Sequence, residues 1–254
     1  MLQALYTRLT QKHRTVGFPK SVPTLPDRFR GLPQVDSRLC PGGCERCAAA
    51  CPAAAITLTS AGPSIDLGRC LFCDACVDAC RPKALRFTTA FAMATRQRND
   101  LVVGRTGPKL ATSLEGAVGK LLGRSLKLRQ VSAGGCNACE ADVNVLSTVV
   151  FDLGRFGVQF VASPRHADGL LVTGPVSRNM ELALQKTYDA VPSPKIVIAC
   201  GACAVSGGLF AGNPEVNSGV GGLLPVDLFI PGCPPHPLTT LDGILRLLGR
   251  IETR

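Results

Sequence analysis

An α/β architecture, with a small cysteine-rich unit ahead of a mostly parallel, doubly wound sheet, is the fold class this sequence predicts. Three observations carry it. From residue 126 onward, short apolar runs alternate with helical stretches, the pattern of βα units. Before that, a cysteine-bearing segment repeats itself at a constant offset of 29 residues. Between the two lies a basic stretch, 91–125, without the periodicity of a core element. At 254 residues the chain has room for one large domain or two modest ones, and its 46% of hydrophobic residues suits a globular core.

Taken in order, residues 1–35 are basic and proline-rich ("KSVPTLPDRFRGLPQ") and read as an extended arm. Residues 36–90 hold the repeat. "CERCAAACPAAAITLT" from Cys44 aligns with "CDACVDACRPKALRFT" from Cys73, so that Cys44, Cys47 and Cys51 map onto Cys73, Cys76 and Cys80, and Ile56 onto Leu85. Residues 91–125 read as a basic linker with a short helix near 112–123. In 126–254, "LKLRQV", "GVQFVA", "DGLLVTG", "KIVIAC" and "VDLFI" are strand candidates. "EADVNVLSTVVFDL" places Val143, Leu146, Val150 and Leu153 on one helical face, and further helices are predicted near 178–190 and 237–249. The cysteines of this half, 136, 139, 200, 203 and 233, all end or follow strands. In such sheets, sites form beyond the carboxyl ends of the strands, so loops sixty residues apart can converge there.

Composition narrows the chemistry. Thirteen cysteines accompany no secretory signal, since the opening "MLQALYTRLTQKHRTVG" has no apolar core and no twin-arginine pair. Disulfides are then disfavoured, and the cysteines point to metal or redox work. No window of 18 apolar residues predicts a transmembrane helix. The net charge of +10 is concentrated in two places: 1–35 has six Lys/Arg against one acid, and 81–130 has eleven against two. Nucleic acid is the reflex reading of such patches. However, each four-iron cluster on four thiolates adds about −2, and partner subunits or an anionic membrane surface account for the remaining charge at least as well.

The spacing of the repeat is Cys-x3-Cys-x2-Cys-x3-Cys-Pro at 40, 44, 47 and 51, then Cys-x2-Cys-x2-Cys-x3-Cys at 70, 73, 76 and 80. Four cysteines in so short a run are too crowded for the two separated knuckles of a zinc ribbon and suit cubane clusters. The segment resembles bacterial two-cluster ferredoxins. That resemblance implies a small two-cluster ferredoxin-like α+β domain. In it Cys40, Cys44, Cys47 and Cys80 hold one [4Fe-4S] cluster, and Cys70, Cys73, Cys76 and Cys51 hold the other. The extra residue between Cys40 and Cys44 is a departure that bears on Cys40.

In the second half, "GGCNACE", "GACAVSGGLF" and "PGCPPHP" resemble the three ligand loops of the [NiFe]-hydrogenase small subunit. The likeness extends through "FDLGRFGVQFVASPRHADGLLVTGPVSRNM", towards the membrane-bound, formate hydrogenlyase-type branch. The arm's "RFRGLP" is similar to the start of that complex's ferredoxin-like subunit, so the chain looks like two adjacent subunits fused. The resemblance implies a flavodoxin-like second domain with a proximal [4Fe-4S] cluster on Cys136, Cys139, Cys203 and Cys233, three clusters in all. The homologous subunit of respiratory complex I shares "ASPR" and "PGCPP", but it uses two adjacent cysteines where this chain interposes Asn137 and Ala138. A thioredoxin-like "CNAC" would need none of the other cysteines.

Cys200 reads as a small buried residue at a strand end. Glu140 reads as a first-turn acid favoured by the helix dipole, or as a group that tunes the cluster or relays protons. Arg165 and His166 read as structural or interface residues and His236 as a loop residue. No second pair of free Cys-x-x-Cys motifs is left to hold nickel, so no catalytic residue is expected in this chain. The partners implied are a [NiFe]-hydrogenase large subunit, an electron donor of formate or carbon monoxide dehydrogenase type, and membrane-arm subunits, with no nucleic acid. The implied location is peripheral, on the cytoplasmic side of the cell membrane. Rival readings are a subunit of a complex I-like quinone oxidoreductase and a zinc-bearing structural or nucleic-acid module.

Overall fold

A computed structural model of the chain describes residues 2–251 apart from 13, 37, 42 and 61, with the backbone alone at 117. The first residue of the expected arm and the last three of the expected second domain lie outside the described residues.

Helix α1 (Leu2–Gln11) opens the arm, a correction to the extended chain read from its composition. Leu2, Leu5, Tyr6 and Leu9 are spaced for one helical face, yet all four are exposed and the helix buries none of its residues. The arm is then pinned to the far half of the molecule. Arg155 Nη2 donates to the carbonyls of Val16 and Phe18 at 2.9 Å each, and buried Phe18 packs edge-on against Phe91.

The cysteine-rich unit runs β1 (Pro33–Val35), α2 (Arg46–Ala49), β2 (Ile56–Thr59), β3 (Gly62–Asp66), α3 (Ala75–Asp78) and β4 (Leu85–Phe87). β1 pairs antiparallel with β4, so the last residues of the arm belong to this unit. β2 and β3 form an antiparallel hairpin. The 29-residue offset survives in three dimensions. α2 maps onto α3 residue for residue, β2 and β4 start at equivalent positions, and two left-handed backbone sites recur, Gly43 with Phe72 and Ala54 with Lys83. Left-handed backbone costs a non-glycine residue roughly 1–2 kcal/mol. The turns are therefore set by the loop and not by local preference.

The expectation of a linker over 91–125 needs correction. This stretch adds β5 (Val102–Val103) to β3, completing a sheet of order β2-β3-β5. Thr95 and Phe229 exchange both backbone hydrogen bonds, at 3.0 and 2.9 Å. Phe91, Met93, Ala94, Leu101, Ala111 and Leu122 are buried. Its apolar residues fall in short runs of two to four, such as Phe91–Ala94 and Leu101–Val103, too brief to show a helical or strand period in the sequence. The helix expected near 112–123 is α4 (Gly116–Leu122).

The second half comprises β6 (Leu126–Ser132), α5 (Ala138–Val145), β7 (Val158–Phe160), β8 (Gly169–Thr173), α6 (Arg178–Ala190), β9 (Ile196–Cys200), α7 (Ala202–Ser206), β10 (Leu228–Ile230) and α8 (Pro237–Leu247). All pairings are parallel and the order is β10-β9-β8-β6-β7. Counted within the domain this is 2-1-3-4-5, the flavodoxin-like order. α5 is shorter than its apolar spacing predicts. Leu153 N–H bonds back to Leu146 O and Asp152 is left-handed, so Val143, Leu146 and Leu153 are buried while Val150 is left exposed.

Every residue of β8 and β9 is buried, as a sheet covered on both faces requires. Leu171, Ile196, Ile198, Cys200, Leu228 and Ile230 pack with α5, α8 and the stretch around Ala94. Leu170, Val172, Val197, Ala199 and Phe229 pack with Leu184 of α6. They also share that core with Ile65, Leu67, Leu101 and Val103 of the cysteine-rich side. One continuous core therefore joins the two halves.

Candidate functional site

The Cys-x-x-Cys pairs at 73/76 and 136/139 use the same local turn. The residue after the first cysteine, Asp74 (φ 65°) or Asn137 (φ 70°), is left-handed and caps a helix whose first turn carries the second cysteine. Aspartate and asparagine tolerate this backbone better than most residues. The pair at 44/47 departs from the pattern, with Glu45 at φ −104°.

The structure gathers the candidate cysteines into three groups. Cys51, Cys70, Cys73 and Cys76 line one small cavity with Ala55, Ile56, Ile65 and Phe87. Burial pushes the Cys70 thiol up to about 12, and the neighbouring Cys76, Cys51 and Cys73 add to the shift. Burial likewise pushes Cys76 up to about 11. Backbone N–H groups of Ala55 and Phe72 donate to the sulfurs of Cys51 and Cys70, at 3.2 and 3.4 Å. In the second group, Cys47 is raised first by burial and then by Cys40 and Cys80, while Cys44 shares an open cleft with Cys40. Cys40 thus lies near Cys47 and Cys44 with the extra residue before Cys44 in place.

The third group forms beyond the carboxyl ends of the sheet. Cys136 and Cys139 follow β6, Cys203 lies in α7 after β9, and Cys233 follows β10. Burial pushes Cys203 up to about 11, with Cys233 and Cys136 as charged neighbours. Cys139 is raised by burial and then by Cys200, Glu140, Cys203 and Cys233. Two glycines clear the approach to these sulfurs. A Cβ on Gly201 (φ +94°) would stand 2.6 Å from Cys139 Sγ, and one on Gly208 (φ +55°) would stand 3.0 Å from Cys203 Sγ.

Such buried thiols stay protonated at neutral pH unless a metal draws the proton off. Four sulfurs per group, amide donors to sulfur and cleared approaches are the donor chemistry of a four-iron cubane. Among the described residues no three His, Cys, Asp or Glu side chains close around a single ion. The groups also form a series: Cys76 has Cys47 as a charged neighbour, and Cys233 has Cys73.

Cys200 is fully buried in β9. Glu140 is buried too, with Oε1 accepting from Ser132 Oγ and Thr173 Oγ1 at 2.6 Å each. Burial pushes its carboxyl up, but these two hydroxyls outweigh that and hold it below the usual range. Ser132 and Thr173 are register partners ending β6 and β8, a pairing between segments about forty residues apart that the sequence does not display. Arg165 and His166 are exposed. His236, read as a loop residue, is instead the N-cap of α8, its Nδ1 accepting Leu238 N–H at 3.2 Å.

Comparison with known proteins matches two families to separate stretches of the chain. The 4Fe-4S dicluster domain matches residues 32–81, and the family "NADH ubiquinone oxidoreductase, 20 Kd subunit" matches residues 136–247. Formate hydrogenlyase subunit 7 of Escherichia coli is 40% identical over 162 residues, 64% of this chain and 64% of that protein. "Probable membrane-bound hydrogenase subunit mbhJ" of Pyrococcus furiosus is 43% identical over 132 residues, 52% of this chain and 79% of that protein. An NADH-quinone oxidoreductase subunit of Heliobacterium modesticaldum is 38% identical over 144 residues, 56% of this chain and 81% of that protein. The chain thus spans just under two thirds of the first of these relatives.

Proposed function

We infer function from one premise: this chain belongs to the family of the 20 kDa subunit of NADH ubiquinone oxidoreductase. It is an oxidoreductase subunit of iron–sulfur type, with a dicluster domain ahead of the family domain. Its proposed task is electron transfer in a hydrogen-evolving, membrane-bound [NiFe]-hydrogenase complex. The observation that supports this reading is the series of three sulfur groups, in which Cys47 acts electrostatically on Cys76 and Cys73 on Cys233. Cys40, Cys44, Cys47 and Cys80 would hold the entry cluster, Cys51, Cys70, Cys73 and Cys76 the middle one, and Cys136, Cys139, Cys203 and Cys233 the proximal one.

Bound there, three [4Fe-4S] clusters would supply one-electron, outer-sphere transfer. The residues around them set the conditions. Apolar Ile56, Ile65 and Phe87 keep water from the middle site. The Ala55 and Phe72 amides stabilise charge on its sulfurs. Glu140, held ionised by two hydroxyls, places a negative charge beside Cys139 and Cys203. The partners proposed are a large subunit that carries nickel at the sheet edge and a formate or carbon monoxide dehydrogenase-type donor next to the cysteine-rich unit. Membrane-arm subunits would complete the complex. Among the described residues no helix is long and apolar enough to cross a membrane, which supports a peripheral position; the side proposed is cytoplasmic.

The test is anaerobic purification of the intact complex. About twelve irons per chain as three four-iron clusters, nickel on a partner and hydrogen evolution are expected. About four irons per chain, or stoichiometric zinc, would overturn the reading. The 38% identity to a quinone oxidoreductase subunit over most of its length keeps one alternative. Quinone reduction by a nickel-free complex would select it.

A further inference from the structure

Between the middle and proximal sulfur groups runs a crevice walled by Leu71 and Phe72 on one side and by Cys233 and Pro234 on the other. Residues 28–30 line it as well. Arg30 reaches the cysteine-rich wall. Its guanidinium pairs with the carboxylate of Asp74, the left-handed residue between Cys73 and Cys76, and Nη1 makes a long 3.5 Å contact with Phe72 O. Phe29 reaches the other wall. Its ring meets His236 edge-to-face, with centroids 5.1 Å apart and planes at 81°.

His236 stands three residues beyond Cys233 and is itself fixed by capping α8. Behind these contacts the Gly31 and Leu32 amides donate to Thr88 O and Ala90 O at 2.8 Å each. A Cβ on Gly31 would come within 2.3 Å of Ala90 O, so the backbone seats there only as glycine. The segment is therefore anchored behind and touches a different cysteine loop with each of two consecutive side chains.

We propose that residues 28–32 form a strap that fixes the separation of the middle and proximal sulfur groups, with Arg30 as its positioning residue. The proposal rests on the electron-transfer reading above. Tunnelling between redox centres falls steeply with their separation, so a device that pins Cys73 and Cys233 sets the rate of the step between them. Stability alone does not account for the contact. The Arg30 and Asp74 side chains are 47% and 30% exposed, and ion pairs that wet contribute little to folding. What they do retain is direction, since a planar guanidinium reaches Asp74 and Phe72 O together where an ammonium would act as a point charge.

The experiment uses the holo chain within its complex, comparing Arg30→Gln, Arg30→Lys and Phe29→Leu. Iron content checks loading, and the magnetic interaction between the reduced middle and proximal clusters reports their geometry by electron paramagnetic resonance. Arg30→Gln should keep full iron content but lose or broaden that interaction, Arg30→Lys should restore part of it, and Phe29→Leu should disturb it from the other wall. An unchanged interaction in both Arg30→Gln and Phe29→Leu would overturn the strap. So would loss of iron from Arg30→Gln, which would make the residue a support of one cluster and not of the junction. Absence of clusters from the unaltered chain would instead overturn the functional reading itself.

Discussion

The two cysteine-bearing halves hold their sulfurs by opposite means. In 36–90 the eight cysteines fall in two runs, three or four residues apart within each, on loops and on helices of four residues. Three of its core residues, Cys47, Cys70 and Cys76, are themselves candidate ligands. In the second half the four sulfurs come from three strand ends far apart in sequence. They are aimed by a sheet whose inner strands are wholly buried and by α8, all eleven residues of which are buried. One half builds its sulfurs into its share of the core, and the other has a core that places sulfur. Metal should therefore be a folding partner for the first and a passenger for the second.

Removing the iron should break this symmetry most visibly. After anaerobic chelation, hydrogen exchange should show β1 to β5 losing protection while β6, β8 and β9 keep theirs. Equal loss in both halves would erase the distinction. Next in size, Asp242→Ala should cost about 3–5 kcal/mol by leaving Arg246 charged in the interior. The Asp242–Arg246 pair within α8 is 2.8 Å long and its side chains are only 3% and 10% exposed. A denaturant midpoint measures it, and replacing the pair by Leu and Met should restore most of the loss.

The same small substitution in each half then sharpens the comparison. Gly201→Ala would press a methyl group within 2.6 Å of Cys139 Sγ, whereas at Gly43, φ +75°, a Cβ meets nothing within 4 Å. Gly201→Ala should displace the proximal site and lower iron content by about four atoms. Gly43→Ala should cost only about 1 kcal/mol of backbone strain, with iron retained. The smallest effect belongs to Cys200, buried in the sheet. Cys200→Ala should lose about 1 kcal/mol and no iron, while Cys203→Ala removes or converts the proximal cluster. Iron and spectra of both variants decide between the two cysteines, and the reverse outcome would reassign the ligand.

What could be read beforehand follows the same division. Cysteine spacing and the 29-residue repeat are local signals, and the short apolar strands of the second half carry their own period and order, so both were legible. The stretch 91–125 was not, because Leu101, Val103 and Ala94 are buried by partners distant in sequence: Val103 by its pairing with Ile65, and Ala94 by Gly243 of α8. The cap made by His236 hid behind two prolines. The Glu140 pocket depends on a register between β6 and β8 that no single segment encodes.

The position of β5 has a consequence for how such a protein is made. Its two residues lie beyond Cys80, so the sheet β2-β3-β5 keeps an open edge until after all eight thiols of the repeat have been synthesised. The last proximal thiol, Cys233, follows about 130 residues later, which is on the order of ten seconds at ribosomal speed. A growing chain thus completes its two cysteine sets at different times, the repeat's before β5 exists and the proximal set's only after β10. Cluster delivery in the cell must be matched to both.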